Sequence, residues 1–117
     1  MSRVIVLDDS EIMRSVLSEI VSFMGYEVSA FGKVAPFLEQ VRCHPAERII
    51  VDASLGGNLN GLDIIEQIRH LAGMEGSQYI LMTANPAMAP LRERSEQRKI
   101  KLLGKPCSFE DLEIALV

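Results

Sequence analysis

A chain of 117 residues, with twelve Lys and Arg against sixteen Asp and Glu, carries a net charge of −4, a poor balance for a generic binder of nucleic acid or anionic membrane. An apolar fraction of 48% and a charged fraction of 24% are those of an ordinary globular domain, and the length suits one domain whose core needs no disulfide or metal staple. No apolar run approaches the roughly 20 residues of a membrane span, and the opening Met-Ser-Arg-Val-Ile-Val-Leu-Asp-Asp is too short in apolar residues for a secretion signal.

Short apolar runs alternate with helical patterns along the chain. Arg3 to Leu7 (RVIVL) is an unbroken, mostly β-branched run, as in a strand buried on both faces. Ser10 opens a helix in which Ile12, Val16, Ile20 and Met24 recur at i+4 beside Met13, Leu17 and Val21; Gly25 ends it. Glu27 to Phe31 (EVSAF) reads as a second strand. Lys33 to Arg42 carries Val34, Phe37, Leu38 and Val41 along one side of a short helix, stopped by His44 and Pro45. Arg48 to Val51 (RIIV) is a third strand, ending at Asp52. A loop rich in Gly and Asn follows, from Gly56 to Gly61. Leu62, Ile65, Ile68 and Leu71 or Ala72 then form a helix face. Gln78 to Met82 (QYILM) is a fourth strand, ending at Thr83. A helix is predicted over Pro86 to Arg98, with Pro90 either starting or kinking it. Ile100 to Leu103 is a fifth strand leading to Gly104, Lys105 and Pro106. Ser108 and Asp111 have the spacing of a capping box for a last helix through Leu116.

Five β–α units without repeat or linker predict an α/β fold with a parallel sheet and helices on both faces. Ligands of such sheets sit beyond the carboxyl ends of the strands. The residues there are Asp8, Asp9, Asp52, Thr83 and Lys105. Each has a bland local explanation as a cap, a turn former or a solvated strand end. The expected fold, however, would bring all of them to one pocket. Two carboxylates about 4 Å apart repel by about 4 kcal/mol at an effective dielectric near 20, so a carboxylate must protonate or a cation must bind. Hard oxygen ligands with no soft partner favour Mg2+. Three carboxylates and one ammonium leave two negative charges, which one such ion cancels. By contrast, Cys43, Cys107, His44 and His70 stand at no metal or redox spacing. Two free thiols fit a reducing, cytoplasmic setting.

The pattern resembles the receiver domain of two-component response regulators over the whole chain. That family has an acidic pair after the first strand, an acceptor Asp after the third, Thr or Ser after the fourth and Lys-Pro after the fifth. Here these are Asp8 and Asp9, Asp52, Thr83, and Lys105 with Pro106. The resemblance implies a doubly wound, flavodoxin-like (βα)5 sandwich with strand order 2-1-3-4-5. It implies that Asp52 takes a phosphoryl group from a sensor histidine kinase or a histidine phosphotransfer protein. Asp9, Asp52 and the backbone carbonyl of Ser54 would bind Mg2+, and Asp8 would hold the ion through water. Lys105 would bind the phosphoryl oxygens, with a cis bond to Pro106, and Thr83 would swing toward them. Ala84 leaves room for phosphoryl entry. In that family the residues two beyond the acceptor and two beyond the Thr tune dephosphorylation, and here they are Ser54 and Asn85.

Two features depart from the family. Leu102 stands where an aromatic residue usually reports phosphorylation, and the loop from Asp52 to Gly61 is one residue longer than usual, with Gly56 and Gly57 in place of a frequent Pro. The resemblance also implies output through the face of the fourth helix, fifth strand and fifth helix. Arg92, Arg94, Arg98, Lys99 and Lys101 are basic there and Glu110, Asp111 and Glu113 acidic, so a two-fold homodimer could pair them; a solvated charged face is the plainer reading. Residues 1–117 are expected to form the receiver alone, with no effector domain in this chain, either standing alone or cut from a longer regulator. Such a domain would act on its own phosphorylation state only and would contact neither nucleic acid nor membrane. The alternatives are a pseudo-receiver adaptor that is never phosphorylated, a small Mg2+-dependent phosphatase of the haloacid dehalogenase type, and a flavin binder. Adjacent acids after the first strand suit neither of the last two.

Overall fold

The computed structural model describes residues 2–57, 59–85, 89–105 and 107–117. Along them run β1 (Arg3–Leu7), α1 (Glu11–Phe23), β2 (Glu27–Phe31), α2 (Val34–Cys43), β3 (Arg48–Asp52), α3 (Gly61–Ile68), β4 (Gln78–Thr83), α4 (Ala89–Gln97), β5 (Lys101–Gly104) and α5 (Phe109–Leu116). The strands form one parallel sheet in the order β2-β1-β3-β4-β5, as the resemblance implied. The order reverses between β1 and β3, which are paired through Val4–Arg48 to Leu7–Val51. A crevice at the carboxyl ends of these strands is therefore where a ligand belongs.

Alternation along the strands builds two cores. Val4, Val6, Ile50, Ile80 and Met82 point to one face, against Leu17 and Val21 of α1 and Leu112, Ala115 and Leu116 of α5. Ile5, Leu7, Ile49, Val51 and Leu81 point to the other, against Phe37 and Val41 of α2 and Leu62, Ile65 and Ile68 of α3. Both faces are covered, which is why these strands read as continuous apolar runs.

The caps follow the sequence. Ser10 Oγ accepts from the Met13 amide at 3.3 Å. The box at α5 is complete: the Asp111 amide donates to Ser108 Oγ at 3.0 Å, and the Ser108 amide donates to an Asp111 carboxylate oxygen at 3.2 Å. Pro90 lies in the first turn of α4, where its missing N–H costs nothing, so it starts the helix rather than kinking it. The proposed start of that helix at residues 86–88 lies outside the described residues, as does Pro106 with its expected cis bond.

Several boundaries shift. On α1 the buried stripe is Leu17 and Val21, flanked by Met13, Ile20 and Met24, whereas Ile12 is 76% and Val16 41% exposed. Two apolar stripes lie side by side on this helix, and only one can face the sheet. The strand β5 begins at Lys101, one residue later than expected, because α4 ends in a Schellman turn. Lys99 takes a left-handed φ of 58°, its amide donates to Glu96 O at 3.2 Å and the Ile100 amide donates to Ser95 O at 2.9 Å. The helix α3 ends at Ile68 rather than near Leu71, and a turn closed by Leu71 N–H to Ile68 O follows. The loop after Asp52 is a miniature hairpin, with Ser54 bridged to Asn60 and Leu55 N–H donating to Leu59 O at 3.3 Å. Leu55 plugs it into the core.

Candidate functional site

Each polar residue singled out by its place after a strand lies at the carboxyl end of the sheet. Asp8 directly follows β1, Asp52 closes β3, Thr83 closes β4 and Lys105 follows β5. Asp8 and Asp52 are 1% and 7% exposed, unusual burial for carboxylates, whereas Asp9 is exposed. One carboxylate oxygen from each of Asp8, Asp9 and Asp52 lies within 4.8 Å of the other two.

Lys105 holds the buried pair together. Its Nζ is 3.0 Å from Asp8 Oδ2 and 3.1 Å from Asp52 Oδ2. The other oxygen of Asp8 accepts from the Ser10 amide at 2.9 Å, and the other oxygen of Asp52 accepts from the Ser54 amide at 3.3 Å. Asp9 accepts no hydrogen bond from the described residues. Lys105 is itself aimed by the sheet, since its amide donates to Thr83 O at 2.8 Å. Thr83 Oγ1 accepts from the Asn85 amide at 3.2 Å. Ala84, next along, is exposed.

The electrostatics are lopsided. Burial pushes the Asp52 carboxyl up from its ordinary value, and the nearby Asp8 charge adds to this; the hydrogen bond from Lys105 opposes it without cancelling it. Burial pulls the Lys105 ammonium down, but its bonds to Asp8 and Asp52 outweigh that and hold its pKa above the ordinary lysine value. Three clustered carboxylates against one ammonium leave an excess of negative charge lined with hard oxygens. Those donors fit Mg2+ in chemistry and number, with places left for water or a phosphoryl oxygen. Apart from this cluster, burial, with the Asp111 charge, pushes the Cys107 thiol up from its ordinary value.

Gly61 is a site residue that composition alone does not disclose. A Cβ there would lie 2.1 Å from the Asp52 carbonyl oxygen and 2.9 Å from Val51 Cγ1. The start of α3 thus packs directly on the backbone of the buried carboxylate, and the Gly61 amide donates to Ala53 O at 2.9 Å. Strand ends likewise do not disclose Arg14, which lies on α1, or Gly32, which follows β2 and bears no side chain. Leu102 is half-buried and packs against the core shared by α2 and α3.

Residues 4–117 match the family model described as the response regulator receiver domain. The chain is 26% identical over 106 residues to the sensory/regulatory protein RpfC of Xanthomonas campestris pv. campestris, covering 89% of this chain but 14% of that protein's length. Among solved structures, chemotaxis protein CheY4 of Vibrio cholerae superposes with a TM-score of 0.88 at 20% identity, covering 99% of this chain and 96% of that one. A Burkholderia pseudomallei response regulator, solved with a phosphorylated aspartic acid, a calcium ion and citrate, gives a TM-score of 0.86 at 24% identity, covering 100% of this chain and 67% of that one.

Proposed function

The chain belongs to the response regulator receiver domain family, signalling modules of two-component systems, and on that premise we propose that Asp52 accepts a phosphoryl group from a phosphohistidine. The donor is a sensor histidine kinase or a histidine phosphotransfer protein, the partners that serve this family. The observation that carries the reading is the gathering of Asp8, Asp9 and Asp52 within 4.8 Å around an ammonium bonded to two of them.

In the step, an Asp52 carboxylate oxygen attacks phosphorus. A phosphorus–oxygen bond forms, the phosphorus–nitrogen bond breaks, and its electron pair leaves with the imidazole. Asp9, Asp52 and the Ser54 carbonyl would hold Mg2+, with Asp8 through water, and the ion would supply positive charge to offset that of the phosphoryl oxygens. Lys105 is close enough to Asp52 to exchange its carboxylate contact for a phosphoryl oxygen, and Thr83 offers its hydroxyl from the next strand. Exposed Ala84 leaves the approach open. The domain acts on its own phosphorylation state and is otherwise no enzyme.

Incubation with acetyl phosphate and Mg2+, followed by intact mass, tests this. The wild type gains one phosphoryl group and Asp52→Asn gains none. No gain by the wild type leaves the fold as an unphosphorylated adaptor; an equal gain by Asp52→Asn moves the acceptor elsewhere.

Residues 1–117 serve as the receiver unit, with output at the face of α4, β5 and α5. Exposed Arg92 and Lys101 lie there beside exposed Glu110, Asp111 and Glu113, a pattern that a two-fold homodimer would pair. With beryllofluoride, light scattering is expected to report twice the monomer mass at high concentration; an unchanged monomer would refute the dimer.

A further inference from the structure

The acid cluster contains one member whose side chain no described residue holds directly. Asp8 is tied at both carboxylate oxygens and Asp52 at both of its own. Asp9 is exposed and, among the described residues, has neither a hydrogen bond nor an ion pair. Its carboxylate can join the cluster only because the backbone carries it there, so the peptide between Asp8 and Asp9 is the part that must be fixed.

One contact holds that peptide and another holds the peptide before it. The Asp8 amide donates to Phe31 O, the last residue of β2, at 3.0 Å. The Asp8 carbonyl, which belongs to the peptide leading into Asp9, accepts from Arg14 Nη1 at 2.9 Å. Arg14 is a half-buried residue of α1 that makes no ion pair among the described residues, so this bond is the main polar use of its guanidinium. The guanidinium lies over Gly32, the residue after β2. A Cβ on Gly32 would stand 2.4 Å from Arg14 Nη1 and 2.8 Å from Cζ. The backbone of Gly32 is not in the left-handed region, so what glycine supplies here is room rather than conformational freedom.

We propose that Arg14 and Gly32 act as one positioning device, in which glycine admits the guanidinium and the guanidinium fixes the Asp8–Asp9 peptide, and that this sets the affinity of the acid cluster for Mg2+. The inference rests on reading that cluster as a metal site. Partners that orient metal ligands commonly change affinity by about 10- to 100-fold when removed, because the ligands must otherwise be ordered on binding. The atoms that a Gly32 methyl would strike form the movable end of a long side chain. Gly32→Ala therefore displaces Arg14 and leaves the fold in place.

The test is a Mg2+ titration followed by the backbone amide signals of 15N-labelled protein, for the wild type, Arg14→Ala, Gly32→Ala and the double variant. Each single variant is expected to bind Mg2+ about tenfold more weakly. Both should move the metal-free Asp9 amide signal, since that N–H lies in the peptide that Arg14 holds. The double variant should bind no more weakly than Arg14→Ala, because the methyl has nothing left to displace. If Arg14→Ala does not fold, Arg14→Gln replaces it with the same expectation. Single variants that bind within about twofold of the wild type overturn the proposal. So does a Gly32→Ala effect that persists undiminished without Arg14. A wild type that binds no Mg2+ overturns instead the reading of the cluster, and the inference with it.

Discussion

The helices α3 and α4 are neighbours on one face of the sheet, yet different forces hold them. Four apolar side chains of α3, Leu62, Ile64, Ile65 and Ile68, are buried, and its start is capped by Asn60 Oδ1 accepting from the Leu62 amide at 2.8 Å. Among its described side chains the helix α4 offers half-buried Leu91 and one buried residue, Ser95, whose hydroxyl finds no partner among the described residues. Ion pairs to α3 take the place of burial: Arg94 lies 3.4 Å from Asp63, and Arg98 pairs with Glu66. Such half-exposed pairs contribute little and are weakened by salt. One flank of Thr83 is therefore set by the core, while the other can shift at small cost. A phosphoryl group at the strand ends should be felt first where resistance is least.

Urea denaturation can break this contrast. Ile65→Ala, at a fully buried site, is expected to cost about 2–5 kcal/mol, a transfer loss plus a cavity. Leu91→Ala should cost nearer 1 kcal/mol, since only part of its surface leaves water. Ser95→Ala should be neutral or slightly stabilising, because it removes a buried hydroxyl that has no described partner. Equal losses at Ile65 and Leu91 would show that α4 is as firmly seated as α3, and a large loss at Ser95 would mean that its hydroxyl is satisfied after all.

The same contrast separates what the sequence discloses from what it hides. The strands of β1, β3 and β4 are legible because residues buried on both faces leave unbroken runs such as RVIVL and QYILM. Their ends are equally legible, because an acid or a hydroxyl interrupts the run; that gave Asp8, Asp52 and Thr83 their places. The edge strand β5 is shorter, and its start moved because Lys99 adopts a conformation more usual for glycine. Periodicity could not tell which of two adjacent stripes on α1 faces inward, since both are apolar. It was also silent on Gly32 and Gly61, because a sequence shows that a Cβ is missing but not which atom occupies its space.

The strain in the acid pocket is open to direct measurement. With the folded pKa of Asp52 raised above its ordinary 3.8 by burial and by Asp8, the folded state binds the proton more tightly than the unfolded chain does. Its stabilising share is present at low pH and is lost as pH rises from that ordinary value through the raised one. At neutral pH and without metal, the ionised carboxylate is therefore a liability. Melting temperatures of the wild type and Asp52→Asn, each in chelator and in Mg2+, test whether these acids are crowded until a divalent ion joins them. In chelator Asp52→Asn should melt above the wild type by about a few degrees. Mg2+ should raise the wild type, by mass action on the folded state, and leave the variant nearly unmoved. A wild type indifferent to Mg2+, or an Asp52→Asn that melts lower in chelator, would contradict the account.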